Sequence, residues 1–331
     1  MIAYLARRCL YALPILFGVN LLTFMLFFVV NSPDDMARMN LGERHVTQEA
    51  IAQWKRSHGY DGPLLWNDAA QGVERVTVTI FYRKTLQLFA FRFGQSDGGR
   101  DIGFDIRQRM LPSLSIALPV FIIELALATT LGLLIALLRG SYLDRAVTLA
   151  CIVGMSVSSL FVIIAGQYLV AKVLQLVPVS GYADGWLAAK FLALPILVQV
   201  VASLGAMVRW NRTVFLEELS RDFVRTARAK GLPEARVLSH HVLRNALLPL
   251  LTTVVVAVPG LFLGSLVTES FFAVPGLGSY TIDAIQNQDF AIVRAMVFLG
   301  SLMYIIGLVL TDISYAWADP RVRLAGTQEA T

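Results

Sequence analysis

Residues 9–33 form an uncharged stretch of 25 residues and read CLYALPILFGVNLLTFMLFFVVNSP. A membrane-spanning helix needs about 20 consecutive, mostly apolar residues, so this stretch is long enough to cross a bilayer. Comparable stretches occupy 111–138, 146–171, 191–208, 246–268 and 295–317. Backbone groups in lipid must pair within their own segment, and unbroken apolar runs therefore predict helices rather than the alternating strands of a barrel. The sequence predicts an all-α, polytopic membrane protein with about six transmembrane helices.

The composition excludes the common soluble classes. Of 331 residues, 56% are hydrophobic and 15% are charged, against about 25% charged in a typical soluble domain. Disordered chains, collagen-like repeats and ordinary cytosolic enzymes do not have this composition. The two cysteines, Cys9 and Cys151, lie inside apolar runs without disulfide or metal-ligand spacing,. The net charge of +5 is interpreted as a topology signal, so no nucleic-acid partner is expected.

The basic residues predict the orientation of the chain. Short cytoplasmic segments of membrane proteins are enriched in Lys and Arg. Pairs of arginines precede the first stretch and follow the second, and eight Lys and Arg residues lie between 209 and 245. Both termini are therefore expected in the cytoplasm, with a periplasmic loop at 34–110, a cytoplasmic loop at 209–245 and a cytoplasmic tail at 318–331. No small-residue cleavage site follows the first stretch, so it is expected to be retained rather than removed as a signal peptide.

The long outer segment leaves alternatives open. Val76–Tyr82 alternates between apolar and polar residues and is rich in β-branched types, which favours a strand,. Leu86–Phe93 has the composition of a helix lying on the membrane surface,. The segment as a whole is either a small cap that braces the helices or a docking surface for an outer partner.

The cytoplasmic loop contains a helix–bend–helix pattern. Ser220 or Asp222 can cap a helix that continues to Lys230, and Gly231 is the residue type that ends helices,. Pro233 suits the first turn of a second helix reaching about Asn245,. The loop either only enforces topology or forms a short rigid projection that plugs into a partner. In the second case, the small residues allow close backbone approach; they are Ala227, Ala229 and Gly231.

Charged residues within the spans are the remaining functional candidates. Glu124 lies in the middle of its span, whereas Glu269 and Asp312 lie nearer span ends. Each carboxylate either faces a translocation path or pairs with a polar neighbour. A single deep acid and the lack of a clear internal repeat argue against an ion-driven carrier. The sequence has no G-x-x-x-x-G-K-[ST], H-E-x-x-H or G-x-S-x-G motif, which argues against an enzyme and against ATP hydrolysis by this chain,.

Four stretches together resemble one known family. They are Asp222–Pro233, Arg244–Pro249, Phe271–Gly278, and Asp312–Tyr315 with Asp319–Arg323. The first two resemble the cytoplasmic EAA loop of binding-protein-dependent ABC importer permeases, in the form of the dipeptide/oligopeptide/nickel family, B-type subunit. The third resembles the outer P-G-L-G segment of that family, and the fourth resembles its C-terminal signature. The general Glu-Ala-Ala is replaced here by Arg225-Thr226-Ala227, which is usual for the peptide class.

The resemblance implies the type I ABC importer permease fold and an assembly of several chains. A second homologous permease would complete the path, two ATPase subunits would bind ATP and Mg, and a periplasmic binding protein would deliver the solute. No cofactor is expected on this chain. The implied ATPase-docking coupling helix consists of Asp222, Thr226, Ala227, Ala229, Lys230, Gly231 and Leu232. Glu124 is the candidate residue of the translocation path, and a stand-alone secondary carrier or channel is the alternative function.

Overall fold

The computed structural model describes residues 2–42, 46–68, 70–183 and 185–318. Within these residues the only β-type pairing is an isolated bridge between Gln95 and Asp101. Five helices are long and apolar enough to cross a membrane, and a bent pair of shorter helices makes a sixth span if it is counted as one. The prediction of an all-α protein with about six spans is confirmed.

The helices are numbered in chain order. They are α1 Ile2–Met25, α2 Pro33–Leu41, α3 Gln48–His58, α4 Glu74–Thr77, α5 Ile80–Lys84, α6 Ile102–Leu137, α7 Tyr142–Ser156, α8 Ser159–Gly166, α9 Ala188–Leu219, α10 Asp222–Ala229, α11 Glu234–Arg236, α12 Leu243–Leu263, α13 Leu266–Phe271, α14 Leu277–Gln286 and α15 Phe290–Ala318. Three π-helical segments continue α1, α8 and α11; they are Leu26–Val30, Gln167–Val173 and Val237–Val242. Residues 319–331, which include most of the expected tail and part of the C-terminal signature, lie outside the described residues.

The chain divides into two compact units. One comprises the described residues up to Met110 together with Tyr280–Ile306, and the other comprises Leu111–Ser279 together with the described residues from Gly307 onward. In the first unit, an aromatic-rich cluster joins the end of α1 to α2, α3 and α5. Its buried members include Phe24, Phe28, Met36, Ile51, Trp54, Tyr60, Ile80 and Phe81. The short helices α2, α3 and α5 therefore pack on the end of the first span.

The strand alternative for Val76–Tyr82 is wrong, because two short helices occupy this stretch. Thr79 is completely buried, and its hydroxyl accepts a hydrogen bond from the Tyr82 amide at 3.3 Å. This N-cap starts α5 and places Ile80 and Phe81 in the aromatic cluster. Capping and tertiary packing thus override the strand preference of the β-branched residues.

In the second unit, the third predicted span is broken. α7 and α8 meet at 95° across Val157 and Ser158, both of which have extended backbone. Serine side chains favour helix ends over helix interiors, so the Ser-Val-Ser-Ser run is a weak point in an otherwise apolar stretch. The two arms pack against α9, in part through the close approach of Gly205 to the Cys151 backbone. 

The fourth span is much longer than predicted. α9 contains 32 residues, which gives a length of about 48 Å at 1.5 Å per residue. The hydrocarbon core of a bilayer is about 30 Å thick, so about 18 Å of this helix extends beyond it. The stretch Arg209–Leu219, expected in the cytoplasmic loop, is therefore the rigid end of a transmembrane helix.

Candidate functional site

The projection at the end of α9 is the first candidate site, and it lies entirely within the second unit. Ser220 ends α9, Arg221 occupies the N-cap of α10, and the chain then turns at Gly231 into α11. The predicted helix over this stretch is confirmed, whereas the cap is neither Ser220 nor Asp222. No side-chain hydrogen bond caps α10, and Asp222 contributes a carboxylate in the first turn, where the helix dipole favours negative charge.

Gly231 makes the bend through a Schellman motif. Its φ of +73° is left-handed, a conformation that costs residues with a Cβ about 1–2 kcal/mol. The Gly231 amide donates to the Arg228 carbonyl at 2.9 Å, and the Leu232 amide donates to the Ala227 carbonyl at 3.4 Å. Leu232 packs on the cluster that contains Ala227, which supplies the hydrophobic contact of this motif. The direction in which the chain leaves α10 is therefore fixed at Gly231.

The two faces of α10 have different roles. Val224 and Ala227 are buried in a cluster with residues of α9, α12 and the π-helical segment before α12. Asp222, Thr226, Ala229 and Lys230 are exposed on the other side. Ala227 therefore packs inward, where its small side chain lets α10 sit close to its own bundle, and the opposite face of α10 is exposed.

An exposed ion pair joins the two helices on either side of the bend. The Arg228 guanidinium donates to the Glu234 carboxylate at 2.6 Å and 3.3 Å, joining α10 to α11 across Gly231. Both side chains are about half exposed, so the pair is worth less than about 1 kcal/mol. The Arg228 hydrogen bond holds the pKa of Glu234 below its ordinary value.

Acidification is expected to loosen this bend. Because the folded-state pKa of Glu234 is lowered, its contribution is full above about pH 4.3, the ordinary value for Glu, and is lost as pH falls through the folded-state value. Spin labels at the exposed positions Ala229 and Ala235 should show a broader distance distribution at pH 3 than at pH 7. E234Q should be equally broad at both pH values, and a distribution in the native pair that does not change with pH would contradict this role.

A bidentate ion pair braces the last third of α9. The Arg212 guanidinium donates twice to the Asp144 carboxylate, at 2.9 Å each, and Asp144 is buried. Asp144 also accepts from the Gly140 amide, so the turn before α7 is tied to α9. On α6, a Cβ at Gly132 would lie 3.1 Å from the Arg212 amide nitrogen. These contacts hold the part of α9 that leads to α10 against two other helices.

Glu269 is the second candidate site and was not singled out by the sequence beyond its place near a span end. It is 1% exposed. Its carboxylate accepts from the Ser265 amide at 3.1 Å, the Gly278 amide at 2.7 Å and the Ser279 amide at 3.1 Å. The Ser113 hydroxyl also bonds to it and accepts from the Leu277 amide at 2.7 Å.

These bonds make Glu269 the anchor of the segment Val274–Gly278. One carboxylate satisfies amides at the start of α13 and at the start of α14, where unpaired backbone donors collect. A Cβ at Gly264 or Gly276 would collide with the carboxylate, and a Cβ at Gly278 would lie 2.7 Å from the Ser265 carbonyl carbon. The spacing of these glycines around a lone glutamate is the sequence signal that could have identified the site.

Glu124 lines a cavity inside the second unit. It is partly buried, hydrogen-bonds to Ser203, and lines a cavity of about 210 Å³ together with Gln199, Ser113 and Ser265. The cavity is formed by α6, α9 and α12 with the turn before α13. Glu124 and α10 thus belong to the same unit, and Glu269 hydrogen-bonds to two of the residues that line the cavity, Ser113 and Ser265.

Comparison with known proteins identifies the family. Residues 128–324 match the family model described as "Binding-protein-dependent transport system inner membrane component". Residues 1–96 match the model of the corresponding N-terminal region. The chain belongs to this family. It is therefore a multi-pass inner-membrane permease subunit with the type I ABC importer fold, and it is a transport subunit rather than an enzyme.

Individual relatives are similar to this chain along nearly its whole length. A di/tripeptide transport system permease protein of Pseudomonas aeruginosa is 31% identical over 98% of this chain and 99% of the relative. A dipeptide transport system permease protein of Escherichia coli is 29% identical over the same shares. The resemblance to the dipeptide/oligopeptide permease family is confirmed, and a permease of this family works in a complex with other subunits.

Proposed function

We propose that the chain is a permease subunit of an importer for peptides or similar small solutes. Both relatives described above carry peptide transport in their names, which supports peptides as cargo. A second homologous permease completes the path, and a periplasmic binding protein delivers the solute to the outer side. ATP and Mg bind to two separate ATPase subunits, and both termini of this chain lie in the cytoplasm.

The proposed mechanism rests on one observation: α10, the helix that follows α9, is exposed on one face and is held to the bundle by the other. Its outer face presents polar and small side chains, while Val224 and Ala227 hold it to the bundle. We place this helix, with Lys230, Gly231 and Leu232, in a groove of one ATPase subunit as the coupling helix. Closure of the ATPases would move the helix, and the braced part of α9 would pass the movement to the spans as a hinge-type transition. Glu124 is assigned to the translocation path.

Purification from the native membrane tests the assembly. A tagged, gently solubilised chain is expected to bring a P-loop ATPase and a second six-span permease in fixed ratio, as determined by mass spectrometry. A chain recovered alone, while its partners remain intact in the membrane, would favour a stand-alone secondary carrier or channel.

Cysteine probes test the coupling helix and the orientation. In a chain with Cys9 and Cys151 replaced, Ala229→Cys is exposed on α10, and Lys190→Cys is exposed near the start of α9. Ala229→Cys is expected to crosslink to the ATPase and to resist impermeant thiol reagents in intact cells. Lys190→Cys is the matched control and should react with the reagent without crosslinking. The reverse labelling pattern would overturn the orientation.

A further inference from the structure

The cavity beside Glu124 has the chemistry of a site for a small cation. Glu124 contributes a carboxylate from the middle of α6. The Ser113 and Ser265 hydroxyls and the Gln199 carboxamide oxygen, which also line the cavity, are already hydrogen-bonded to Leu277 or Thr268. Among the described residues that line the cavity there is no lysine, arginine or histidine. The hydrogen bond that Glu124 makes within the protein is to the neutral Ser203 hydroxyl. The carboxylate therefore faces the cavity without a balancing positive charge in its lining.

An acidic side chain in this position needs a functional reason. A charged group within a membrane span is costly and normally faces a cavity or pairs with an opposite charge. Glu124 has the cavity but has no cationic partner among the described lining residues. A neutral residue such as glutamine would also bond to Ser203, so the structure of the bundle does not require a carboxylate. A positively charged group on the transported solute would supply the missing partner.

The size of the cavity limits what this partner is. Pockets that enclose a whole small molecule usually measure about 300–1,000 Å³, whereas this one measures about 210 Å³. The part of the path that this chain lines by itself therefore receives one end of a solute, and the second permease of the proposed assembly would line the rest. The end that complements a carboxylate without a cationic partner is a primary ammonium group, which donates three hydrogen bonds.

We propose that Glu124 binds the ammonium group of the cargo during its passage. This inference rests on the proposed function and deepens it, because it assigns part of the cargo selectivity to this chain as well as to the binding protein. Glu124 is thus a specificity-determining residue that favours solutes with a free amino group over neutral or anionic ones.

The charge of the cavity can be measured without transport. Ala257 lines the same cavity, and an Ala257→Cys probe in a chain lacking Cys9 and Cys151 reports on it. In the assembled complex, a methanethiosulfonate carrying an ammonium group should modify this cysteine about tenfold faster than one carrying a sulfonate. Adding E124Q should bring the two rates together. Equal rates with Glu124 present, or no modification by either reagent, would overturn the proposal.

Transport then tests whether this charge acts on the cargo. In proteoliposomes with the complete complex and its binding protein, E124Q is expected to lower dipeptide uptake per ATP hydrolysed about tenfold, and E124D should recover part of it. Stimulation of ATP hydrolysis by the loaded binding protein should remain, which shows that the variant is folded and coupled. Native uptake by E124Q would overturn the proposal. If the native complex shows no such stimulation, the proposed function fails, while the cysteine rates still decide the role of Glu124.

Discussion

Replacing Gly231 with valine is expected to abolish solute uptake while the complex continues to hydrolyse ATP. The left-handed φ of +73° at this position is a severe outlier for a β-branched residue,. A Cβ built on Gly231 meets nothing within 4 Å, so the effect comes from the backbone and not from a steric clash with neighbours. To accept valine, the chain must leave this conformation, and the two hydrogen bonds of the Schellman motif are then lost.

The matched control is Gly231→Asn, because asparagine tolerates the left-handed region far better than valine does. Uptake into proteoliposomes and ATP hydrolysis, measured on the same preparations, should show at least a tenfold fall in transported solute per ATP for valine. Asparagine should stay within about twofold of the native chain. Native coupling in the valine variant would contradict the proposal that the bend at Gly231 helps α10 pass movement of the ATPases to the spans.

The region around α10 and Gly231 shows which features can be predicted from residues that are close together in the sequence. The helix after Asp222, the bend at Gly231 and a helical stretch after Pro233 were predicted, because bends and helix ends depend on residues within one or two turns. The burial of Ala227 was not predicted, since the identity of the inner face depends on α9 and α12. The length of α9 was not predicted either. The apolar stretch ends at Val208, where the composition stops being compatible with lipid. The helix continues beyond it because Arg209–Leu219 still favours a helix.

Long-range contacts account for what the sequence did not predict. The carboxylate of Glu269 is bound by amides up to ten residues later in the chain and by Ser113 on another helix. The glycines around Glu269 are the one local signal of such an anchor, and the identity of its partner Ser113 depends on how α6 packs. The strand expected at Val76–Tyr82 failed for a related reason. Its apolar residues pack into a cluster with α1 and α3, and this packing determines the secondary structure.

Removing the Glu269 carboxylate is expected to cost more stability than any other single change considered above. In E269A, the amides of Ser265, Gly278 and Ser279 lose a buried acceptor. An unsatisfied buried donor costs about 1–3 kcal/mol, so the total loss is about 3 kcal/mol or more. For a domain of this size, such a loss lowers the midpoint of thermal unfolding by on the order of 10 °C. The purified complex in detergent should show this shift, together with loss of uptake.

Ser270→Ala provides the matched control, because it changes the neighbouring residue without touching the anchor. The Ser270 hydroxyl is buried and has no hydrogen-bond partner within the described part of the chain, so its removal should change the midpoint by less than about 2 °C. E269Q should fall between the two, since its carboxamide oxygen can still accept from one group of amides while its NH₂ opposes the other. If E269A and Ser270→Ala unfold at the same temperature, the segment Val274–Gly278 is held by packing alone. A large shift for E269A only would establish that this carboxylate holds the start of α14 in place, because the two substitutions differ in the hydrogen bonds they remove.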